Sequence, residues 1–307
     1  MVAGSEERGI SKILRKDVRL KGDPQVKVIV FGADGMLGTD VSLRFKKDFE
    51  VIEGFEKEID ITDKSSVERF VSFHRPDYVV NCAGYADVDG CESSSDKAFA
   101  VNSQGPLNIA MACKDVGARM VHFGTDYVFD GRKDGIYAED DAVNPISVYG
   151  KSKLEGEQNA IKFVKNLYVI RTQWLYGKNG KNFVGTILRK LMDKENLKVV
   201  NDQIGSPTYT ADLAQAVTKI LEVNPEFGVY NVVNEGYVSW YEFARKIAEI
   251  RGVDDVEIGP VSSGQFPRPA SRPKNSRLNT AKFIRSTGFR MRRWEDALRE
   301  FMTGPTS

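Results

Sequence analysis

The chain has 307 residues, with 44 basic and 43 acidic side chains and a formal net charge of +1. This length suits one large α/β unit or two packed domains, and the near-neutral balance argues against broad binding to nucleic acid or to a membrane surface. Three cysteines and two histidines without metal-ligand spacing argue against a disulfide framework and a Cys/His zinc site.

Residues 1–25 are predicted to form a polar N-terminal extension. They lack the apolar core of a secretory signal, and the chain has no run of about 18 apolar residues that would predict a transmembrane helix. We therefore expect a cytoplasmic protein with no membrane partner.

Strands and helices alternate over residues 26–172. The run Val26–Phe31 is nearly all apolar, as in a parallel strand buried on both faces, and a Gly-rich turn then leads into a helix from Met36 to about Lys46. Asp63 is a plausible N-cap for the next helix. The pattern predicts further strands at about 49–53, 78–82, 119–123 and 167–171, and further helices at about 65–74, 96–113 and 147–164. The alternation predicts an α/β fold, a Rossmann-like doubly wound parallel sheet.

The pattern is less regular after residue 173. Helices are predicted at about 183–192, 212–221 and 240–250, with a short strand in GVYNVVN and a loop over GQFPRPASRPKNSRLN. We expect residues 173–307 to form mainly a smaller C-terminal substrate-binding lobe, from which some segments return to the first domain.

Gly32, Gly35 and Gly38 form a G-x-x-G-x-x-G turn between the first strand and the first helix. Residues without a Cβ let backbone N–H groups approach a pyrophosphate, and the helix N-terminus favours its negative charge. Residues 26–172 are therefore predicted to be an NAD(P)-binding domain. The residue that selects the cofactor stays open: Glu53 or Glu56 could bind a ribose hydroxyl, and Lys57 a 2′-phosphate. Asp60 and Ile61 are candidates to cap the adenine.

Tyr149 and Lys153 are spaced i and i+4 on a predicted helix, which places both side chains on one face. A neighbouring ammonium favours a phenolate, so we expect Lys153 to lower the pKa of Tyr149 and make it a useful proton donor. Thr125 follows a predicted strand, at the edge where parallel strands face a ligand, and its hydroxyl could hold a carbonyl oxygen. Asn102 is either an orienting residue for Lys153 or an ordinary exposed helix residue.

These residues lie in motifs through which the chain resembles the dTDP-4-dehydrorhamnose reductase family, an extended branch of the short-chain dehydrogenases/reductases. The resemblance covers residues 26 to about 300. Its motifs are GADGMLG at 32–38, DITD at 60–63, NCAGYADVDGCE at 81–92, GTDYVFDG at 124–131, YGKSKLEGE at 149–157, RTQWLYG at 171–177, NFV at 182–184, NDQIGSPTYTADLA at 201–214 and RPKNSRLN at 272–279.

The resemblance implies that NADPH or NADH delivers a hydride to C4 of a dTDP-4-keto sugar, with Thr125, Tyr149 and Lys153 as catalytic residues. The implied cofactor-binding residues are Gly32, Gly35, Met36, Leu37, Gly38, Asp60, Ile61, Cys82, Ala83, Gly84, Tyr85, Asn102, Tyr149 and Lys153. The implied substrate-binding residues are Thr125, Trp174, Asn182, Phe183, Gln203 and Arg272, the last as a partner for a pyrophosphate.

The chain departs from the family pattern at Gly124, where the family commonly has Ser, and at Cys82 and Gly84, where alanines are common. Some relatives bind magnesium at a dimer contact, and Asp40, Glu195 and Glu300 lie in roughly corresponding places; we nevertheless predict no metal, and a homodimer stays open. The alternative functions are reduction of another 4-keto nucleotide sugar, or NADP-dependent regulatory binding like that of the methionine adenosyltransferase β subunit.

Overall fold

The computed structural model describes residues 25–304, so nearly all of the predicted extension 1–25 lies outside the described residues. Its strands are β1 Lys27–Phe31, β2 Glu50–Gly54, β3 Tyr78–Asn81, β4 Arg119–Thr125, β5 Leu167–Thr172, β6 Leu175–Tyr176, β7 Leu197–Val200, β8 Ile204–Gly205, β9 Thr208–Tyr209, β10 Gly228–Asn231, β11 Val238–Ser239 and β12 Ile258–Val261. Its helices are α1 Met36–Phe45, α2 Lys64–His74, α3 Val88–Ser93, α4 Ser95–Phe99, α5 Gly105–Val116, α6 Val148–Phe163, α7 Phe183–Met192, α8 Thr210–Val223, α9 Trp240–Arg251, α10 Ala281–Thr287 and α11 Trp294–Thr303.

Six parallel strands form the central sheet, in the order β10-β5-β4-β3-β1-β2. The strand order reverses between β1 and β3, and ligands of open α/β sheets bind at such a point, outside the carboxyl ends of the strands. This arrangement confirms the predicted α/β fold with a doubly wound parallel sheet. The edge strand β10 comes from the C-terminal part of the chain and pairs with β5, whereas the exact domain limits stay a prediction.

The two faces of β1 show why this strand is apolar throughout. Val28 and Val30 pack into one core with α1 and α8, whereas Ile29 and Phe31 pack into a second core with α2 and α5 on the opposite face. Side chains of a strand alternate between faces, so a strand covered on both sides needs apolar residues at every position. The sheet is thus held rigid beneath the carboxyl edge where β1, β3 and β4 end.

A third core, rich in aromatic residues, lies in the C-terminal lobe. Tyr176, Phe243 and Trp294 are buried there, among residues of α7, α9 and α11. The predicted helices at 183–192, 212–221 and 240–250 agree with α7, α8 and α9 within a few residues. The sequence patterns did not predict α10, α11 or the short strands β6, β8 and β9. Within residues 25–304, every helix is too short or too polar to cross a bilayer.

The helical spacing over 96–113 corresponds to residues that are helical throughout, but not to one regular α-helix. A π-helical turn at 100–104 separates α4 from α5. Pro106 lies in the first turn of α5, and a proline cannot bond or approach the carbonyl four residues earlier, which here belongs to Asn102. That carbonyl instead faces Gly156 of α6 so closely that a Cβ at Gly156 would overlap it. The turn therefore brings residue 102 against the helix that carries Tyr149 and Lys153.

Candidate active site

The glycine turn joins β1 to α1 at the point where the strand order reverses. Gly32 has a positive φ of 70°, and a Cβ there would lie 2.7 Å from the backbone nitrogen of Ala83. A Cβ at Gly38 would overlap the Gly32 carbonyl oxygen, so α1 packs directly on the turn. The first turn of α1 has no acidic residue and no side-chain cap, which leaves its N–H groups open to an anion. The turn fits a dinucleotide pyrophosphate.

A cleft runs along the carboxyl edge of the sheet as two adjoining cavities of about 420 and 440 Å³. Both are lined by residues of the turn and of the segment after β3. The shared lining residues are Gly35, Cys82, Ala83, Gly84 and Tyr85. The predicted cofactor residues Met36, Leu37 and Asn102 line the second cavity, and Gly32, Asp60 and Ile61 line the first.

Acidic side chains dominate the far end of the first cavity. Asp34, Glu56 and Asp60 line it, and Lys97 is the basic residue of that lining. Glu53 is instead paired with Lys46 at 2.7 Å. Lys57 is exposed and does not belong to the lining. Of the residues left open for cofactor selection, the structure therefore places Glu56 on the cavity.

Thr125, Tyr149 and Lys153 meet in the second cavity. Thr125 ends β4, and α6 presents Tyr149 and Lys153 one turn apart, with Ser147 capping its N-terminus through a bond from the Gly150 N–H. The Thr125 hydroxyl donates to the Asp126 carboxylate at 3.2 Å and lies close enough to the Tyr149 side chain to influence its pKa. The Lys153 Nζ donates to the Phe123 carbonyl at 2.6 Å, and the lysine is only 7% exposed. A hydroxyl, a phenol and an ammonium thus converge beside the glycine turn.

The pKa of Tyr149 differs from the sequence prediction. Burial raises it, Asp126 raises it further, and the Thr125 hydroxyl only partly offsets these effects. Burial also lowers the pKa of Lys153 to about 8, while Glu157 acts in the opposite direction. The structure therefore does not bear out the expectation that Lys153 lowers the pKa of Tyr149, because burial of the phenol disfavours the phenolate and the ammonium donates to the Phe123 carbonyl.

Asn102 is a buried crosslink, and the alternative of an exposed helix residue is wrong. Its side chain accepts from the Tyr85 N–H at 2.8 Å and donates to the Tyr85 carbonyl at 3.0 Å and to the Ser152 hydroxyl at 3.1 Å. Within residues 25–304, its side-chain hydrogen bonds do not reach Lys153. Asn102 joins the cleft wall after β3 to α6 through these three bonds, and so positions one against the other.

Trp174 is the predicted substrate residue of the C-terminal lobe that reaches the second cavity. Its indole stacks on Trp240, with ring centroids 3.6 Å apart, and its backbone has a positive φ of 48°. Trp240, Tyr127 and Lys181 also line the cavity and were missed from the sequence. Tyr127 lies in the GTDYVFDG motif, two residues after Thr125, so a signal for it was present; no local pattern marks Trp240.

Four other predicted substrate residues, Asn182, Phe183, Gln203 and Arg272, line neither cavity. The Asn182 side chain accepts from the Gly185 N–H at 3.0 Å and caps α7, and Phe183 stacks on Phe243 in the aromatic core. Gln203 is buried. Arg272 makes a two-bond fork to the Asp89 carboxylate, at 3.0 and 2.9 Å. The structure thus gives Asn182 and Phe183 packing contacts and gives Arg272 a protein carboxylate as its partner.

The acidic residues considered for magnesium are dispersed. Asp40 accepts from the Thr210 hydroxyl, Glu195 pairs with Lys190, and Glu300 pairs with Arg292. Across residues 25–304 no three His, Cys, Asp or Glu side chains are grouped as metal ligands.

The family model described as "RmlD substrate binding domain" matches residues 26–306. Spore coat polysaccharide biosynthesis protein SpsK of Bacillus subtilis is 42% identical over 277 residues, which cover 90% of this chain and 96% of that protein. dTDP-4-dehydrorhamnose reductase of Mycobacterium tuberculosis is 38% identical over 287 residues, covering 92% and 94%. The solved structure of dTDP-4-dehydrorhamnose reductase from Bacillus anthracis in complex with NADP has a TM-score of 0.88 at 38% identity, covering 92% of this chain and 100% of that one.

Proposed function

The chain belongs to the RmlD substrate binding domain family, and from this we propose that it is a dTDP-4-dehydrorhamnose reductase. It reduces the C4 ketone of dTDP-4-dehydro-L-rhamnose to dTDP-L-rhamnose with NADPH or NADH. The observation that carries this proposal is the meeting of Thr125, Tyr149 and Lys153 in one cleft beside a pyrophosphate-binding turn.

The cleft residues fit a nicotinamide dinucleotide. The turn from Gly32 to Gly38 would hold the pyrophosphate, and the lining shared by the two cavities would lie along the cofactor. When bound, the reduced nicotinamide supplies the hydride. Asn102 keeps the wall at Tyr85 at a fixed distance from α6, so that the cofactor and the catalytic side chains are held together.

Thr125 and Tyr149 act on the ketone oxygen. Both hydroxyls face the same cavity, and Tyr149 donates its proton to the oxygen as negative charge develops there. Burial raises the pKa of Tyr149, so the phenol carries the proton at neutral pH but gives it up less readily than a free tyrosine would. The Lys153 ammonium stabilises the phenolate that remains, which is where its charge acts in the reaction.

The sugar nucleotide lies across the second cavity toward the C-terminal lobe. The stacked Trp174 and Trp240 offer an apolar wall for the sugar or the base. Phe183 packs against Trp240, with ring centroids 4.6 Å apart, and supports this wall from outside the cleft. Arg272 binds the substrate pyrophosphate if its two hydrogen bonds move from the Asp89 carboxylate to a phosphate group, which presents a similar pair of oxygens.

We also propose a homodimer in a reducing cytoplasm. The three cysteines are free in the structure, and Cys91 and Cys113 are buried. Light scattering coupled to gel filtration tests the dimer: a mass of one chain at micromolar concentration contradicts it.

A direct assay tests the function. Purified protein is mixed with NADH or NADPH and freshly made dTDP-4-dehydro-L-rhamnose, and nicotinamide absorbance is followed. We expect Tyr149→Phe to lower kcat by at least about a hundredfold, as loss of a general acid does, while cofactor fluorescence still reports binding. Tyr237→Phe is the matched control, since Tyr237 donates to the Leu278 carbonyl away from the cleft. Cofactor binding without oxidation by the wild type contradicts the reductase and favours regulatory binding. Faster oxidation with the D-sugar isomer favours a different 4-keto substrate.

A further inference from the structure

A buried ion pair lies directly beyond the catalytic lysine. Glu157 follows Tyr149 and Lys153 on α6 at spacing i, i+4, i+8, so the three side chains share one helix face. Its carboxylate accepts from Arg171 of β5, through Nε at 3.1 Å and through Nη2. Glu157 is 2% exposed and Arg171 is 4% exposed. The row Tyr149, Lys153, Glu157 thus continues the active site into the protein interior.

Two further contacts fix Arg171. Its Nη1 donates to the Glu139 carbonyl at 3.0 Å, and its guanidinium lies over the Phe129 ring, 5.3 Å from the centroid. Gly124 leaves room for the pair, because a Cβ there would lie 3.1 Å from Glu157 Oε2 and 3.2 Å from Arg171 Cγ. A side chain at position 124 would therefore press on both members of the pair.

Stability alone does not account for such a pair. A buried pair of charges gains little over well-packed apolar side chains of similar volume, because each charge loses its hydration. A role for the charge itself is the better account, and the neighbouring charge is that of Lys153.

Other titratable groups also face Lys153, but they are neutral near pH 7. Cys82 follows β3, and burial raises the pKa of its thiol. His122 lies on β4, and burial lowers the pKa of its imidazole. Tyr149, on α6 itself, is a protonated phenol. Glu157 supplies the negative charge that acts on Lys153, and it opposes the effect of burial on this lysine.

We propose that Glu157 is a positioning residue that keeps the buried Lys153 charged, and that Arg171 holds the Glu157 carboxylate in place for this task. The proposal deepens the proposed function and rests on it for the role of Lys153. The charge of Lys153 can be followed through the pH dependence of NADH binding, which requires no catalytic turnover.

The test uses the double variant Glu157→Gln/Arg171→Gln, because Glu157→Gln alone leaves a buried guanidinium without a counter-ion. The dissociation constant of NADH is measured by fluorescence from pH 6 to 10, alongside kcat. Lys153→Met identifies which limb of the binding profile belongs to the lysine. Asn159→Ala is the matched control on α6, since Asn159 donates to the Ser103 hydroxyl outside this row.

On the alkaline side of the profile, we expect the pH midpoint at which NADH binding weakens to fall by about one unit in the double variant. Above that midpoint the fraction of Lys153 that is charged then falls about tenfold. The control is expected to keep the wild-type midpoint. Cooperative unfolding would show that the double variant is folded. If its NADH binding then keeps the wild-type pH midpoint, the proposal is overturned and Glu157 has a packing role. If the wild type fails the reductase assay but the double variant shifts the pH midpoint of NADH binding, the proposed function alone is rejected.

Discussion

The acidic end of the first cavity predicts that the enzyme favours NADH over NADPH. The two cofactors differ by the 2′-phosphate on the adenosine ribose, which rests near the end of the second strand in this fold. Asp34, Glu56 and Asp60 line that end, and Lys97 is the basic lining residue. The variants Glu56→Gln and Asp34→Asn, made singly and together, remove two of these negative charges.

The size of the effect follows from Coulomb's law. A carboxylate about 7 Å from a phosphate of charge about −1.5 to −2 costs about 1 kcal/mol at the dielectric constant of water. Lys97 offsets one of the three carboxylates, which leaves about 2 kcal/mol against NADPH at low ionic strength. Screening at physiological ionic strength reduces this to a preference for NADH of about tenfold.

The assay compares the dissociation constants of NADH and NADPH by fluorescence at two salt concentrations. We expect Glu56→Gln to tighten NADPH binding about three- to tenfold and the double variant to remove the preference. The matched control is Glu53→Gln, which removes a carboxylate of the same strand that is paired with Lys46. Wild-type protein that binds NADPH as tightly as NADH refutes the reasoning, and so does an unchanged ratio in the double variant.

Two further predictions concern the turn and the buried carboxyl beside Thr125. Gly38→Ala is expected to weaken dinucleotide binding more than tenfold, because the new Cβ overlaps the Gly32 carbonyl; a binding titration checks this against Gly259→Ala, where the nearest atom would be 3.8 Å away. Burial raises the pKa of Asp126 from 3.8 to about 6, so the native state holds a proton that the unfolded chain has released in this window, and stability from this carboxyl is lost as the pH rises through it. Asp126→Asn removes that loss. Its free energy of unfolding, measured by denaturant titration, should rise relative to that of the wild type by about 2.5 kcal/mol between pH 4 and pH 8. An equal difference at both pH values contradicts this.

Local patterns were sufficient to predict the sheet and the three side chains, Thr125, Tyr149 and Lys153, that meet in the second cavity. The apolar run of β1, the glycines after it and the i, i+4 spacing of Tyr149 and Lys153 all act over a few residues, and the direction of a parallel strand then determines where they meet. The glycine turn and the end of β4 lie at the same edge for this reason. Thr125 needed no information beyond its position after a buried strand.

Contacts between distant segments were not predictable in this way. Arg272 bonds Asp89 across 183 residues, and Trp240 reaches Trp174 from a helix whose local sequence gives no sign of a ligand wall. The π-helical turn shows the same limit. Periodicity predicted one continuous helix, whereas the contact of Asn102 with Tyr85 and Ser152 depends on the proline at 106 and on the close approach of α6.

The charge state of the cleft is the part that depends most on the whole fold. Burial drives Tyr149, Asp126, Cys82 and His122 toward their neutral forms, and it acts on Lys153 in the same sense. Glu157, one turn beyond Lys153 on α6, acts against this effect on the lysine, and it lies outside the Y-x-x-x-K spacing. Its carboxylate accepts from Arg171 of β5, a residue distant from the motif in sequence. In the proposed mechanism the motif supplies the reacting side chains, and the buried pair behind it keeps Lys153 charged.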